Sequence, residues 1–397
     1  MEHVDILIVG GGMVGTALAA ALSGHGLKIT VLERTPPQPF DPNQVPDLRV
    51  SALSPASANF LNKLGAWSRI LAMRATPYTR MQVWEANEDQ GTLFSASDAN
   101  VNELGHIVEN RLVQLATTSS MLERQDIDYR CPAQITRIDY QPLASRVKLA
   151  DGSVLVARLL VAADGALSQV REAAGIGISS RDYPMHAMVA TCLMPYGQQD
   201  ITWQRFTPTG PQAFLPLNDH YASLVWYHTP TDVKRLMALP DDELISAFCA
   251  AFPTKLGGIR EIVSRGFFPL TRRHANCYAK DGVVLAGDAA HTIHPLAGQG
   301  VNLGFQDAAA LADVLLAAHA KGEDLASLNV LKRYEKQRRY ANIAMQRTMD
   351  AFCYGFANDI GPLKAVRNLG LKLAGKAGPI KREVIRYALG LPMLKQR

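Results

Sequence analysis

Apolar and polar positions divide this chain into stretches of three kinds. VDILIVG, near the start, is apolar almost throughout, which predicts a strand buried on both faces of a parallel sheet. An Ala- and Leu-rich run beginning near Gly12 predicts a helix stopping at Gly24–Gly26, and KITVLE predicts a second strand. Residues 36–47 (PPQPFDPNQVPD) are proline-rich and predict an extended loop, followed by DLRVSALS and a helical run over 55–73. RVKLADGSVLVARLLVAADGA alternates on both sides of Asp151–Gly152, a hairpin signal, and continues as a buried strand ending at Asp164–Gly165. Between 185 and 230 four segments separated by turn residues (MHAMVATCLM, ITWQRFTPTG, PQAFLPL, YASLVWYH) predict a separate antiparallel sheet. A helix over 231–253 follows, then RGFFPLTRR, the strand DGVVLAGD, and helical patterns to the end.

Composition adds little and excludes some classes. The 397 residues, 48% hydrophobic and 19% charged, supply ample material for a core and give no sign of global disorder. The net charge of +5 is mildly basic, but most of the chain mixes its signs, unlike the basic stripes of a nucleic-acid binder. The exception is the end, where Lys364, Arg367, Lys372, Lys376, Lys381, Arg382, Arg386, Lys395 and Arg397 face only Glu383 beyond Asp359. Apolar residues recur among them at helical spacing. This region reads either as an amphipathic helix on the body with a solvated basic face, or as a surface attracted to an anionic membrane or acidic partner. Cys131, Cys192, Cys249, Cys277 and Cys353 are scattered without ligand spacing, which argues against a metal site and suits a reducing compartment. No apolar run is long enough for export or for spanning a membrane, so a cytoplasmic protein is expected.

The chemistry begins at the first strand-to-helix turn. Gly10, Gly12 and Gly15 form G-x-G-x-x-G: the first permits the tight turn, the second admits a pyrophosphate, the third lets helix and sheet approach. The helix start then offers unpaired N–H groups to phosphates. Glu33 ends the second strand where a carboxylate accepts from an adenosine ribose, and its charge disfavours a 2′-phosphate. The unit predicts FAD or NAD rather than NADP. Arg49 is either a surface cation or reaches from the proline-rich loop toward a phosphate or the active site.

Two further motifs, DGALSQVR (Asp164, Gly165, Ser168, Arg171) and GDAAHTIHPLAGQGVN (Gly287, Asp288, His291, Pro295, Gly300), follow in order. Together with the glycine motif they resemble the single-component FAD monooxygenases of the para-hydroxybenzoate hydroxylase type over most of residues 5–310. RVSALS, GHIVEN and FPLTRR resemble the branch of that family acting on polyprenylated phenols and quinols in ubiquinone synthesis.

The resemblance implies a mixed α/β fold: a Rossmann-like FAD-binding domain (1–75, 100–178 and 270–345), an inserted antiparallel β-sheet substrate domain (76–99 and 179–269), and a basic, helical C-terminal region (346–397). It implies bound FAD, with NAD(P)H reducing the flavin and O2 adding to give a C4a-hydroperoxide that attacks an electron-rich ring. Asp288 is implied as the partner of the ribityl chain and Arg111 as a neighbour of the FAD phosphates. Gly298, Gly300, Val301 and Asn302 would pass beneath the flavin ring at a helix start. Val14, Arg34, Asp164 and Gly287 complete the implied cofactor set, though Asp164–Gly165 also reads as a plain turn with Ser168 capping a helix.

Pro295 is placed at the flavin–substrate junction. His294 beside it reads either as a proton acceptor for the ring hydroxyl or as a structural histidine, and His291 as a structural residue capping the turn. Phe214, Leu215 and Pro216 are expected on an apolar wall facing the flavin, with ordinary core residues as the alternative. Within the branch, WQRFTPTGPQAFLPLNDHYASLVWY and the tail VRNLGLKLAGKAG…YALGL resemble the subgroup that hydroxylates the last open ring carbon of a methoxylated polyprenyl quinol. His294 points to the sister reaction at ring C5 of a polyprenylphenol. A non-oxygenating flavin reductase and a non-catalytic FAD-stabilised scaffold of a biosynthetic complex are the rival readings.

Overall fold

The computed structural model describes residues 1–85, 91–142, 144–293 and 300–356, together with Glu383, Arg386, Leu389 and Gly390. His294, Pro295, Gly298 and most of the basic C-terminal region lie outside the described residues.

The glycine motif sits in a parallel sheet. Strand Glu2–Val9 runs between Val154–Ala162 and Ile29–Leu32, with Val283–Leu285 beyond the first neighbour and Ile127–Arg130 beyond the second, all parallel. Every residue of Ile29–Leu32 and Val283–Leu285 is buried, the signature of a sheet covered on both faces. The hairpin expected at Asp151–Gly152 joins Ser145–Leu149 to Val154–Ala162, with Gly152 at φ +87°. Helices Met13–Leu22, Asn110–Leu122 and Gly300–His319 share the apolar core with these strands. Gly300–His319 is, among the described residues, the one helix apolar and long enough to cross a membrane, and it is mostly buried inside the fold.

A second, eight-stranded sheet is built on the long antiparallel partners Ile178–Leu193 and Glu261–Ala275. Tyr221–His228, Gly210–Pro216 and Ile201–Thr207 follow antiparallel to one another. The sheet is not purely antiparallel as expected: Arg80–Trp84 joins its far side parallel to Ile201–Thr207. The chain leaves and re-enters between these two strands over a long excursion through the first sheet, and such a crossover is what parallel pairing needs. His291–Thr292, just after the Gly-Asp motif, pairs with Arg273 and His274 and so stitches the two large sheets together. A small third sheet, Val50–Leu53, Gly105–Glu109 and Thr76–Tyr78, was not foreseen, because its strands are too short to show alternation. The helical runs over 55–73 and 231–253 each divide in two, into Pro55–Lys63 and Trp67–Met73, and into Pro230–Met237 and Asp241–Ala251. Gly65 at φ +80° breaks the first, and Pro240 before the last helix breaks the second.

Candidate active site

The strand-to-helix turn is as tight as three glycines allow. Gly10 has φ +106°, and a Cβ there would come within 2.3 Å of the Ala163 carbonyl oxygen. A Cβ on Gly15 would reach 1.9 Å from the Gly10 carbonyl oxygen. Gly12 differs: nothing lies within 4 Å of its added Cβ, and it begins helix Met13–Leu22 with no side-chain cap. Open ground before an uncapped helix start is a cradle for an anion.

A second helix start stands beside it. An added Cβ on Gly304 would come within 2.7 Å of Val14 Cγ2, and one on Gly287 within 3.3 Å of the same atom. Val14 is thus wedged between the Gly-Asp motif and the first turns of Gly300–His319, and serves as the spacer between the two helices. Gly300, like Gly12, has nothing within 4 Å of its Cβ position. The two glycine-opened N-termini therefore lie side by side, and their dipoles add. The side chain of Asn302 is spent on structure. It donates to the Ala52 carbonyl at 2.8 Å and accepts from the Ser54 N–H at 3.0 Å and the Ser57 hydroxyl at 2.7 Å.

Asp288 follows Gly287, which turns at φ +60°. Its side chain is exposed, yet the surrounding protein raises its carboxyl above the usual range, against the pull of His291, Arg49 and Arg273. Exposed surface amid dense protein describes a recessed crevice. Arg49 belongs to that crevice electrostatically, and its guanidinium lies 5.4 Å from the centroid of the Phe268 ring. Glu33 accepts from the Gly11 N–H at 2.8 Å and from the Thr35 N–H at 3.0 Å, at the mouth of the glycine turn. Arg34 next to it is exposed. Asp164 accepts from the Val170 N–H at 3.3 Å through Oδ2, while its buried Oδ1 has no partner among the described residues. Burial pushes its carboxyl up.

Arg111 is not free to reach a phosphate with its whole fork. It grips Asp47 through Nε (2.8 Å) and Nη2 (3.1 Å), and its Nη1 donates to the Gln38 and Pro39 carbonyls. Its work is to fasten the proline-rich loop that carries Arg49. Glu109 helps, accepting from the Asp47 N–H at 2.7 Å while pairing with Arg74.

The expected apolar wall needs correction. Side chains alternate along a strand, so Phe214 and Leu215 cannot face the same way. Phe214 is stacked on Trp203 in the cluster beneath helices Pro230–Met237 and Asp241–Ala251, on the sheet face turned away from Val50–Leu53. Leu215 faces Val50 and Ala52. Pro216 shares the parity of Phe214.

Three residues that the sequence did not single out hold the site together. Fully buried Asp307 accepts from the Gly287 N–H at 3.1 Å, meets His291 Nε2 at 2.5 Å, and accepts from Arg338 Nε at 2.7 Å and Asn342 Nδ2 at 3.1 Å. His291 is structural, as expected, but its partner is this aspartate and not a turn. Buried Arg171 donates to the carbonyls of Ala166 and Ala289, tying the Asp164 loop to the Gly-Asp motif. The repeated i, i+4 pair Arg338–Asn342 facing one helix was the available signal.

Two glycine-opened helix starts, an acidic residue at the end of the second strand, a recessed aspartate and an orphaned carboxylate oxygen fit a flavin adenine dinucleotide, so fold and site together define an FAD-binding flavoprotein. The chain belongs to the family described as the FAD binding domain, whose profile matches residues 3–349. It is 45% identical over 390 residues, 98% of this chain and 99% of the relative, to the 3-demethoxyubiquinol 3-hydroxylase of Escherichia coli K12. It is 34% identical, over 97% of this chain and 92% of the relative, to the mitochondrial ubiquinone biosynthesis monooxygenase of Homo sapiens. Among solved structures, p-nitrophenol 4-monooxygenase from Pseudomonas putida shares the fold with a TM-score of 0.79 at 21% identity, covering 99% of this chain and all of that one (100%). The protein is a flavoprotein hydroxylase with FAD as its cofactor and NAD(P)H and O2 as co-substrates.

Proposed function

We propose that this enzyme hydroxylates the open ring carbon of a polyprenylated, methoxylated benzoquinol, 2-octaprenyl-3-methyl-6-methoxy-1,4-benzoquinol, in ubiquinone synthesis. The observation that carries this is the 45% identity, spanning both chains almost end to end, to a demethoxyubiquinol hydroxylase. It favours this reaction over the sister hydroxylation at ring C5.

FAD, when bound and reduced, activates O2 and supplies one oxygen atom to the ring. The chain's own residues position and insulate. Asp288, at the base of the crevice, accepts from hydroxyls of the ribityl chain, and its raised proton affinity is relieved by such donors. The helix starts at Gly12 and Gly300 face negative charge, the first on pyrophosphate and the second on the reduced ring. Glu33 holds the adenosine ribose, and Arg49 balances charge between phosphate and active site. The parallel-sheet unit (1–75, 100–178, 270–345) carries these groups, and the sheet of 76–99 and 179–269 closes over them to exclude water. His294 and Pro295 complete the reading at the junction with substrate. A prenylated substrate resides in the membrane, so the basic 346–397 region is assigned to peripheral contact with an anionic surface, or with a biosynthetic complex, from the cytoplasmic side.

The test is mass spectrometry of quinone intermediates in a strain lacking the gene. A demethoxy intermediate accumulates if the proposal holds. An intermediate lacking the C5 hydroxyl assigns the sister reaction, and NAD(P)H oxidation by purified enzyme with no ring oxygenation overturns both.

A further inference from the structure

The second sheet has one face closed by helices and one turned toward the flavin unit. Trp203, Phe214, Trp226 and Phe248 fill the first. The second carries two apolar clusters. One groups Ala187, Tyr227 and Leu270 with Met349; the other groups Leu215, Leu217 and Tyr221 with Ala52 and Ile107. Beside them, belonging to neither, runs a row across adjacent strands: Ser264 opposite Thr191 and Thr191 opposite Ser223, with Ser223 in turn opposite Leu215 of the second cluster. Alternation puts this row on the flavin-side face, because the neighbours of Thr191 (Ala190, Cys192) and of Ser223 (Ala222, Leu224) all lie in the helix-covered cluster. The unbroken register from His186 to Thr191 sets Ser264 opposite Thr191, and the shift comes only after that pair, at Thr191/Cys192.

Thr191 and Ser223 are both 0% exposed, and Ser264 is half-buried. None of the three hydroxyl oxygens has a hydrogen-bond partner among the described residues. On a neighbouring strand Thr202, by contrast, donates to the Phe214 carbonyl at 2.7 Å. Buried hydroxyls ordinarily find partners, so three in one row without any are polar atoms kept for something else. The next row toward the crevice contains Val189, Val225 and Gly266, and an added Cβ on Gly266 would come within 2.6 Å of Leu48. Leu48 adjoins Arg49, whose charge acts on Asp288. The row thus lies one register step, roughly 7 Å along the strands, from the chain segment bordering the flavin crevice. Its half-buried end is Ser264.

We propose that Ser264, Thr191 and Ser223 form the subsite for the oxygen substituents of the ring, with the flanking apolar clusters receiving its alkyl groups. This rests on the reading of the substrate as a quinol. A hydroxyl both donates and accepts, so the row serves a phenolic O–H and an ether oxygen alike. Adjacent strands are about 4.8 Å apart, comparable to the separation of two para ring oxygens. The row carries no charge, so it selects a neutral quinol over an aromatic carboxylate.

The test uses the full-length, FAD-loaded enzyme and two probes: a short-alkyl methoxy-methyl-1,4-benzoquinol, and its counterpart with the methoxy replaced by ethyl. Binding is read without turnover, from the perturbation of flavin absorbance. In T191V, and in S223A, affinity for the methoxy quinol falls about tenfold, as for loss of one hydrogen bond. The double variant no longer distinguishes the two probes. The thermal midpoint of the ligand-free variants stays level or rises, since no hydrogen bond is lost. A fall in that midpoint, an equal loss for both probes, or no binding to wild type overturns the subsite. Tight, discriminating binding without ring oxygenation overturns the proposed reaction and leaves the subsite standing.

Discussion

At the scale of single residues, Asp307 is the most consequential side chain that the motifs pass over. Burial would raise its carboxyl, but His291 and Arg338 outweigh burial and hold it below the usual range. The stability it contributes is therefore complete above the ordinary aspartate range near 4 and is lost as pH falls below it. Asp307→Asn leaves Arg338 buried without its counter-charge and is expected to cost about 3–5 kcal/mol. It also disturbs the hydrogen bond to the Gly287 N–H beside Asp288, so flavin content after purification is expected to fall with stability. His274 works in another window. Burial, aided by nearby His291 and Arg339, lowers it to about 4. The unfolded chain then binds an extra proton between its ordinary value near 6.5 and 4, so stability declines as pH drops through that interval. His274→Gln should flatten the fall in thermal midpoint between pH 6.5 and 4, and an unchanged slope would refute the assignment. The tight turn at Gly10 and Gly15 was legible in sequence because a strand-to-helix turn fixes the backbone there. The partners of Arg111 were not legible, because its long side chain chooses them by the tertiary path of the proline-rich loop, where it meets Asp47 and the Gln38 and Pro39 carbonyls.

At the scale of elements, glycine–valine contact sets how closely Met13–Leu22 and Gly300–His319 approach. Alanine is favoured over glycine in a helix by about 1 kcal/mol, so Gly304→Ala would stabilise an isolated helix. Here its Cβ would meet Val14 Cγ2 at 2.7 Å, and overpacking of that sort costs about 1–3 kcal/mol. Gly304→Ala is expected to lower the midpoint of denaturation, and adding Val14→Ala should restore much of the loss. A double variant no better than the single one would place the strain elsewhere. Strand and helix types were readable from periodicity over the long runs, including all four strands between 185 and 230. Facing was not, because AFLPL is apolar on both sides and gives no alternation to read. The three-stranded sheet escaped for a related reason: Thr76–Tyr78 spans too few residues to carry a period.

At the scale of the whole molecule, the order of motifs in sequence implied the flavin fold, since three loops far apart along the chain make sense only when converging on one ligand. The convergence also means that the ligand welds the parts together. Saturating FAD at about a hundredfold over its dissociation constant should add about 2.7 kcal/mol to stability. Calorimetry of stripped and reloaded protein checks this, and identical midpoints would show that the crevice does not hold FAD. The mixed character of the second sheet was not legible in sequence, because the parallel pairing of Arg80–Trp84 with Ile201–Thr207 joins segments separated by half the strands of the first sheet.

The position of Glu2–Val9 has a consequence for how the protein is made. Its flanking strands are Ile29–Leu32, close by, and Val154–Ala162, which a ribosome adding about 5–20 residues per second delivers only some ten seconds later. Through that interval a strand whose second half is entirely buried in the finished fold has one open edge. A nascent chain in that state is a natural client for a chaperone, and slow codons placed before Val154 would lower the yield of soluble enzyme without changing a single residue of it.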